Sequence, residues 1–473
     1  MAKAYFSKLV ASGRPVGEVI AADRFFVRIR GLYTAGLREQ VLFENGDNGI
    51  VWELKSNETT VLNLSSESIA IGTVAVLQDE LFSVPTGPEL IGRVVSVKGA
   101  PLDDKGALVL HSREQVFKTA APIIERTASD EQLVTGTIVV DTLFPTVLGQ
   151  RVAVIGDTRT GKTGFLIKAA SQSNNLFIFV MINKRKDDVQ NLLHELNKSG
   201  AIKHSIVIVA SIFESLAEAY VAPYVGCAVA EYFRSSGYDV VIVYDDLSNH
   251  AKIYREISLL AHTTAGRDSY PGDIFFAHSS LLERAGSFND NNKTITAFPI
   301  VVAPDDDITG YLATNVMSIT DGQIIFSREN FQKGLRPAVN IGLSVTRIGG
   351  RSRTPKGQEI AQIILKKLAD YTQALEFSHF QAGQSTASSL DIVIGERIIE
   401  LLRQPMSEGY SIIQQQLLIE VAMRIPTDRT LNVAKLKNLV HDVKPANQMP
   451  IAQYEDLLRR LLANKEVVDN EAL

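Results

Sequence analysis

Residues Gly156-Asp157-Thr158-Arg159-Thr160-Gly161-Lys162-Thr163 satisfy the pattern GxxxxGK[ST], and no other feature narrows the fold of this chain as far. The pattern carries meaning only between a strand and a helix. Its flanks read that way: apolar Val152-Ala153-Val154-Ile155 before it and a helical stretch over 164–171 after it. In that setting the loop's backbone N–H groups wrap phosphates at the positive end of a helix. Lys162 is then expected on the β- and γ-phosphates and the Thr163 hydroxyl on Mg²⁺. The competing reading is a chance match in a turn, against which the strand and helix both count. The expectation is a site for ATP or ADP with Mg²⁺, built on residues 156–164 and including Gly164.

At 473 residues the chain exceeds one ordinary core, and about two to four domains are expected. The first eighty or so residues read as all-β: short segments over 16–20, 25–29, 40–43, 49–54, 59–64 and 73–77, with turns at Gly31, Gly46-Asp47-Asn48-Gly49 and Ser56-Asn57, suggest a small barrel. The pattern changes near Val84-Pro85-Thr86-Gly87. From about 150 to 348, apolar runs over 176–182, 205–210 and 240–244 alternate with helical stretches over 187–198 and 214–235, as parallel strands covered on both faces do. From 354 onward the strands stop, and amphipathic stretches over 358–375, 389–402, 411–424, 431–443 and 452–463 read as a helical bundle. The expected fold class is multidomain β + α/β + α: an N-terminal β-barrel (1–83), a central phosphate-loop, RecA-like α/β nucleotide-binding domain (84–353) and a C-terminal helical domain (354–473).

Net charge is −5, which gives no support to a general nucleic-acid binder. Cys227 is the one cysteine, so no intrachain disulfide or thiolate metal cluster can form, and a reducing compartment is the easy fit. No window of eighteen unbroken apolar residues suggests a membrane span. Residues 1–14 are mildly basic without a secretory apolar core and read as a solvated start; a short organelle signal is the alternative.

Further residues carry chemistry. Val240-Val241-Ile242-Val243-Tyr244 runs into Asp245-Asp246; beside a phosphate loop, one acid at such a strand end holds Mg²⁺ through water, and Asp245 is the first choice. Arg347 in Ser344-Val345-Thr346-Arg347-Ile348-Gly349-Gly350 reads from residue type as a surface arginine, with reach into a neighbouring subunit's phosphate as the alternative. Phe331 and Arg336 in Phe331-Gln332-Lys333-Gly334-Leu335-Arg336-Pro337 offer an adenine pocket. The histidines lack ligand spacing, and Asp305-Asp306-Asp307 reads as a solvated loop.

Several longer stretches resemble the α subunit of the F-type ATP synthase. They include Glu231-Tyr232-Phe233-Arg234, Tyr244-Asp245-Asp246-Leu247-Ser248, Arg267-Asp268-Ser269-Tyr270-Pro271-Gly272-Asp273 and Thr314-Asn315-Val316-Met317-Ser318-Ile319-Thr320-Asp321-Gly322-Gln323. The resemblance runs from about 15 to 347, then more loosely through the tail. It implies a subunit of a proton- or sodium-translocating ATP synthase. Such a subunit alternates with β in a hexameric ring, around a central-stalk γ subunit and beneath a peripheral-stalk δ subunit. Contact with the membrane is through the complex alone, on the cytoplasmic face of a cell membrane or an organelle's inner membrane. The resemblance also makes Arg347 an arginine finger in the β site, with Ser318 and Val345 beside it, and sets Phe331 and Arg336 around the adenine of the chain's own nucleotide.

The resemblance further implies that a catalytic β subunit carries a glutamate after the strand that follows the loop helix, where α has glutamine. Here that strand runs into Asn183-Lys184-Arg185-Lys186. A gapless match places Lys184 there and a one-residue slip places Asn183; neither accepts a proton from water as a glutamate does. Lys184 can instead hold a γ-phosphate. The loop's Thr158-Arg159 replaces the family's Arg-Gln, Gly164 replaces its Ser or Ala, and Arg403-Gln404-Pro405 does not cleanly place the adenine-pocket glutamines. The reading is a divergent, non-catalytic α subunit. A self-sufficient ring ATPase of secretion or vacuolar type and an RNA helicase of the transcription-termination type are the alternatives.

Overall fold

The computed structural model describes residues 2–23, 25–65, 67–211, 215–264, 266–380 and 386–469. Six strands, Val16–Ala22, Phe26–Arg30, Glu39–Phe43, Asn48–Leu54, Thr59–Asn63 and Val74–Leu81, close into a barrel. Each lies within a few residues of its expected place. Full closure leaves no free edge, and Val19, Val27, Ile29, Val41, Phe43, Val61 and Leu77 fill the interior. Ahead of the barrel, residues Ala2–Ala11 form a helix that the sequence analysis does not name; most of its described side chains are exposed, as a solvated start requires. Leu9 is buried there against Leu42 and Val76 on the barrel's outside.

The central part is a nine-stranded sheet. In spatial order its strands are Val345–Thr346, Gly322–Phe326, Val152–Gly156, Thr294–Val302, Val240–Asp245, Leu176–Lys184, Ser205–Ser211 and Val94–Ser96, with Gly286–Ser287 paired to Thr294–Val302. Val345–Thr346 and Gly286–Ser287 run antiparallel and the remaining pairs are parallel. The run Leu176–Met181 is buried throughout, as strands covered on both faces must be. The helix expected over 214–235 runs Leu216–Ser235; residues 212–214 lie outside the described residues. Because the strands are parallel, the ends of Val152–Gly156, Val240–Asp245 and Leu176–Lys184 emerge on one side of the sheet, where ligands of open α/β sheets bind.

Helices Pro355–Phe380, Thr386–Leu402, Ile412–Arg424, Val433–His441 and Ile451–Leu462 form the C-terminal part. One expectation is corrected here: strands do not stop at 354, since Thr430–Leu431 pairs with Val468–Asp469. Leu417, Leu418 and Leu436 of these helices share one continuous core with Ile138, Phe165 and Phe326 of the central part. The two parts therefore bury apolar surface together. Among the described residues, no helix is long and apolar enough to cross a membrane.

Candidate functional site

The phosphate loop leaves the strand Val152–Gly156 and enters the helix Lys162–Gln172. Gly156 is held against the carbonyl of Phe326 on the neighbouring strand, so a Cβ there has no room. Gly161, at φ 98°, caps the helix in a left-handed conformation that only glycine adopts at little cost, and no side chain caps the N-terminus. The helix's first N–H groups are thus left to a ligand. Arg159 also takes left-handed backbone, at φ 60°. In a non-glycine residue this costs on the order of 1–3 kcal/mol and is typical of functional loops. Thr158 N–H donates to Asp157 Oδ1 at 2.6 Å, and Arg328 reaches Asp157 Oδ2 at 3.3 Å.

Lys162 is buried, and its ammonium donates to the carbonyls of Gly156 at 2.8 Å and Asp157 at 2.5 Å. Burial lowers its pKa to about 8, against the pull of Asp245 and Asp246. Thr163 and Asp245, 82 residues apart, come together: the Thr163 hydroxyl donates to Asp245 Oδ2 at 2.9 Å. This is the pair that a Mg²⁺ ion would need. The same carboxylate also faces Lys184, whose ammonium lies 2.6 Å from Asp245 Oδ1 and 2.9 Å from Asp246 Oδ2. Burial works against the charge on Lys184, but Asp245 and then Asp246 outweigh it and raise the lysine pKa. Mg²⁺ requires an octahedron of oxygens at about 2.0–2.1 Å, not an ammonium hydrogen-bonded to its carboxylate. As they stand, the residues around Asp245 do not fit a divalent ion.

Thr158, Arg159, Lys162, Thr163, Gly164, Asn183, Lys184, Asp245 and Asp246 share one cleft of about 790 Å³. A second hollow, of about 570 Å³, lies against the loop's other side; Asp157, Thr158, Arg159, Thr160 and Phe331 line it. Arg336 stacks over the Phe331 ring at 3.4 Å and donates to the Phe331 carbonyl at 2.7 Å. The two adenine-pocket candidates therefore touch each other, and of the two Phe331 lines the hollow beside the loop. A third cavity, of about 460 Å³ between the central and helical parts, lacks the loop and its charges.

Arg347 is placed elsewhere. It follows the edge strand Val345–Thr346, from which Gly322–Phe326 separates the loop strand. Its exposed guanidinium donates to the carbonyls of Thr320 at 3.2 Å and Met317 at 3.3 Å. Ser318 and Val345 are exposed nearby in the chain. Among the described residues, no group of three or more His, Cys, Asp or Glu is arranged to hold a metal; Asp307 accepts from Thr309 N–H in its own loop, and Asp306 accepts from Arg328 N–H at the start of the helix Arg328–Gln332.

Two contributions were not legible in the sequence: the partners of Asp246, which the sequence presents only as the second acid of the strand end, and Met406. Asp246 both caps the helix Leu247–Leu260, accepting from Asn249 N–H at 2.7 Å, and pairs with Lys184. Met406 comes from the helical part: a Cβ on Gly164 would meet its sulfur at 2.5 Å, and it lines the same cleft. The available signal was Gly164 itself, whose missing side chain makes that room. Gln404, next to it, is buried in structural work, bonding Gly136, Ile138 and Glu408.

Residues 136–346 match the model of the ATP synthase alpha/beta family, nucleotide-binding domain. The chain is 39% identical over 412 residues to an ATP synthase subunit alpha of Ehrlichia ruminantium, covering 83% of this chain and 81% of that protein. It is 36% identical over 456 residues to the subunit alpha of Caldanaerobacter subterraneus, covering 94% and 90%. It is 34% identical over 481 residues to an ATP synthase subunit alpha 2 of Paraburkholderia xenovorans, covering 98% and 93%. With alignments that span up to 98% of its length at 34% identity, the chain belongs to the ATP synthase alpha/beta family.

Proposed function

We propose that this chain is the non-catalytic, nucleotide-holding α-type subunit of a rotary F-type ATP synthase. It is divided at about 83 and 353, alternates with β subunits in a hexameric ring around a γ stalk, and is peripheral to the membrane. A δ-type peripheral-stalk contact belongs to the same reading. The chain's own nucleotide, ATP or ADP, lies on residues 156–164, with Phe331 and Arg336 at its base. The observation that carries the non-catalytic reading is at Asn183-Lys184: where a catalytic subunit carries a water-activating glutamate, this chain offers an amide or an ammonium, and the ammonium is already paired with Asp245 and Asp246. A charged lysine cannot take a proton from water. Arg347 supports the complementary role: exposed at the sheet edge and, among the described residues, held by two carbonyls with no carboxylate on it, it keeps its charge for a neighbour's site.

Steady-state ATP hydrolysis by the purified chain, measured alone and then with its β and γ partners, tests this reading. Silence alone with turnover in the mixture is expected. Robust turnover by the lone chain would instead favour a self-sufficient ring ATPase.

A further inference from the structure

Lys184 ends a strand whose neighbour in the sheet is Val240–Asp245, with Met181 in register with Asp245. Its backbone therefore stands three residues past the level of Asp245, and its ammonium reaches back to bridge Asp245 and Asp246. The remaining oxygens are engaged as well: Asp245 Oδ2 accepts from Thr163 and Asp246 Oδ1 from Asn249 N–H. All four carboxylate oxygens thus have partners, and two lysines, Lys162 and Lys184, balance the two negative charges. The side chains are largely shielded from water, 18% exposed for Lys184 and 4% for each aspartate. A divalent ion entering between Thr163 and Asp245 would have to break this shielded ion pair and then stand beside an ammonium. Both steps oppose it. A nucleotide's terminal phosphate is an anion and gains from a nearby ammonium, and Lys184 lines the same cleft as the loop residues Lys162 and Thr163.

We infer that the Lys184 ammonium is a tethered replacement for the divalent cation, so that this site binds a nucleoside di- or triphosphate without metal. The inference rests on the nucleotide reading of the loop and deepens it. A site that holds nucleotide without the ion on which phosphoryl transfer depends retains its ligand and does not turn it over.

The test titrates a ribose-labelled fluorescent ATP into the purified full chain, once with excess Mg²⁺ and once with excess EDTA. Affinity is expected to differ by less than about threefold between the two conditions, or under 1 kcal/mol. Lys184→Gln should lose about tenfold or more in EDTA and recover with Mg²⁺, while Lys184→Arg, which keeps the charge, should remain indifferent to metal. Mn²⁺ added to the nucleotide-loaded wild type should stay free in its electron paramagnetic resonance spectrum. A wild type that loses about tenfold or more in EDTA, or takes up Mn²⁺ in proportion to nucleotide, overturns the inference and leaves the nucleotide site standing. Absence of binding under both conditions overturns the nucleotide site and the inference with it. The wild-type measurements decide the matter even where a Lys184 variant fails to fold.

Discussion

A guanidinium at an exposed sheet edge does nothing for the phosphate loop two strands away, and that separation makes Arg347 testable. Arg347→Ala should leave nucleotide affinity of the isolated chain unchanged and lower turnover of the assembled ring by about 10³ or more, the range typical of a lost arginine finger. Binding titrations on the chain and steady-state hydrolysis by the ring read the two effects separately; equal loss in both would refute a role across the interface. Lys162 belongs to the chain's own site. Lys162→Ala removes the ammonium that rests on the Gly156 and Asp157 carbonyls, and should weaken nucleotide binding here while the ring keeps part of its turnover. Complete loss of hydrolysis in a normally assembled ring would make this site catalytic.

At the scale of elements, a buried contact between two helices gives the molecule a pH response. His250 on Leu247–Leu260 and His278 on Ile274–Leu282 lie 3.1 Å apart, nitrogen to nitrogen, with no water-exposed surface to speak of. His250 Nε2 faces the Tyr220 carbonyl at 3.0 Å and must donate, so its Nδ1 accepts from His278 Nε2. Burial lowers the pKa of His250 to about 4; burial, then the neighbouring His250, lowers that of His278 to about 3. Unfolded histidines take up protons near pH 6.5, whereas these stay neutral. Stability from the pair is therefore complete above pH 6.5 and falls as pH drops toward 4, by about 1.4 kcal/mol per pH unit for each histidine. Denaturation midpoints should drop steeply between pH 6.5 and 5, and His278→Asn should remove about half of that slope.

Elements differ in how far the sequence announces them. The barrel strands, the loop and the five C-terminal helices were legible because each carries its own period or turn signal within a few residues. The helix Ala2–Ala11 was not, because it is fixed by the seating of Leu9 on Leu42 and Val76, a tertiary contact with no local signature. The pairing of Lys184 with Asp245 and Asp246 was hidden for a like reason. Residue types suggested a phosphate partner, while sheet order, which places Leu176–Lys184 next to Val240–Asp245, decides the actual one.

The whole molecule depends on a polar joint between its central and helical parts. Segment 135–143 is held at three points, two of them in the C-terminal region and one at Arg353, just ahead of it. Gln404 bonds Gly136 and Ile138, Arg353 donates to the carbonyls of Thr142 and Leu143, and Gln415 donates to Asp141 Oδ2 at 2.8 Å. Asp141 is fully buried, and Thr135 supplies two further hydrogen bonds to its other oxygen, at 2.9 and 2.7 Å. Burial raises its pKa to about 6 despite these donors, Thr135 first and Gln415 next. Gln415→Leu removes a donor from a buried carboxylate and should cost about 1.5–3 kcal/mol at neutral pH. The sign of the pH dependence follows from the raised pKa. The folded state holds the Asp141 proton below about pH 6, while the unfolded chain releases it down to about 3.8, so this group favours folding as pH falls between those values. Without Gln415 the carboxylate has less support and its pKa rises further, so the variant's deficit should shrink as Asp141 protonates. Denaturation midpoints of wild type and variant at pH 7.5 and pH 5 check this. Both proteins carry the histidine pair, so its contribution cancels in their difference, and a deficit as large at pH 5 as at pH 7.5 would mean that Gln415 acts through packing and not through the charge on Asp141.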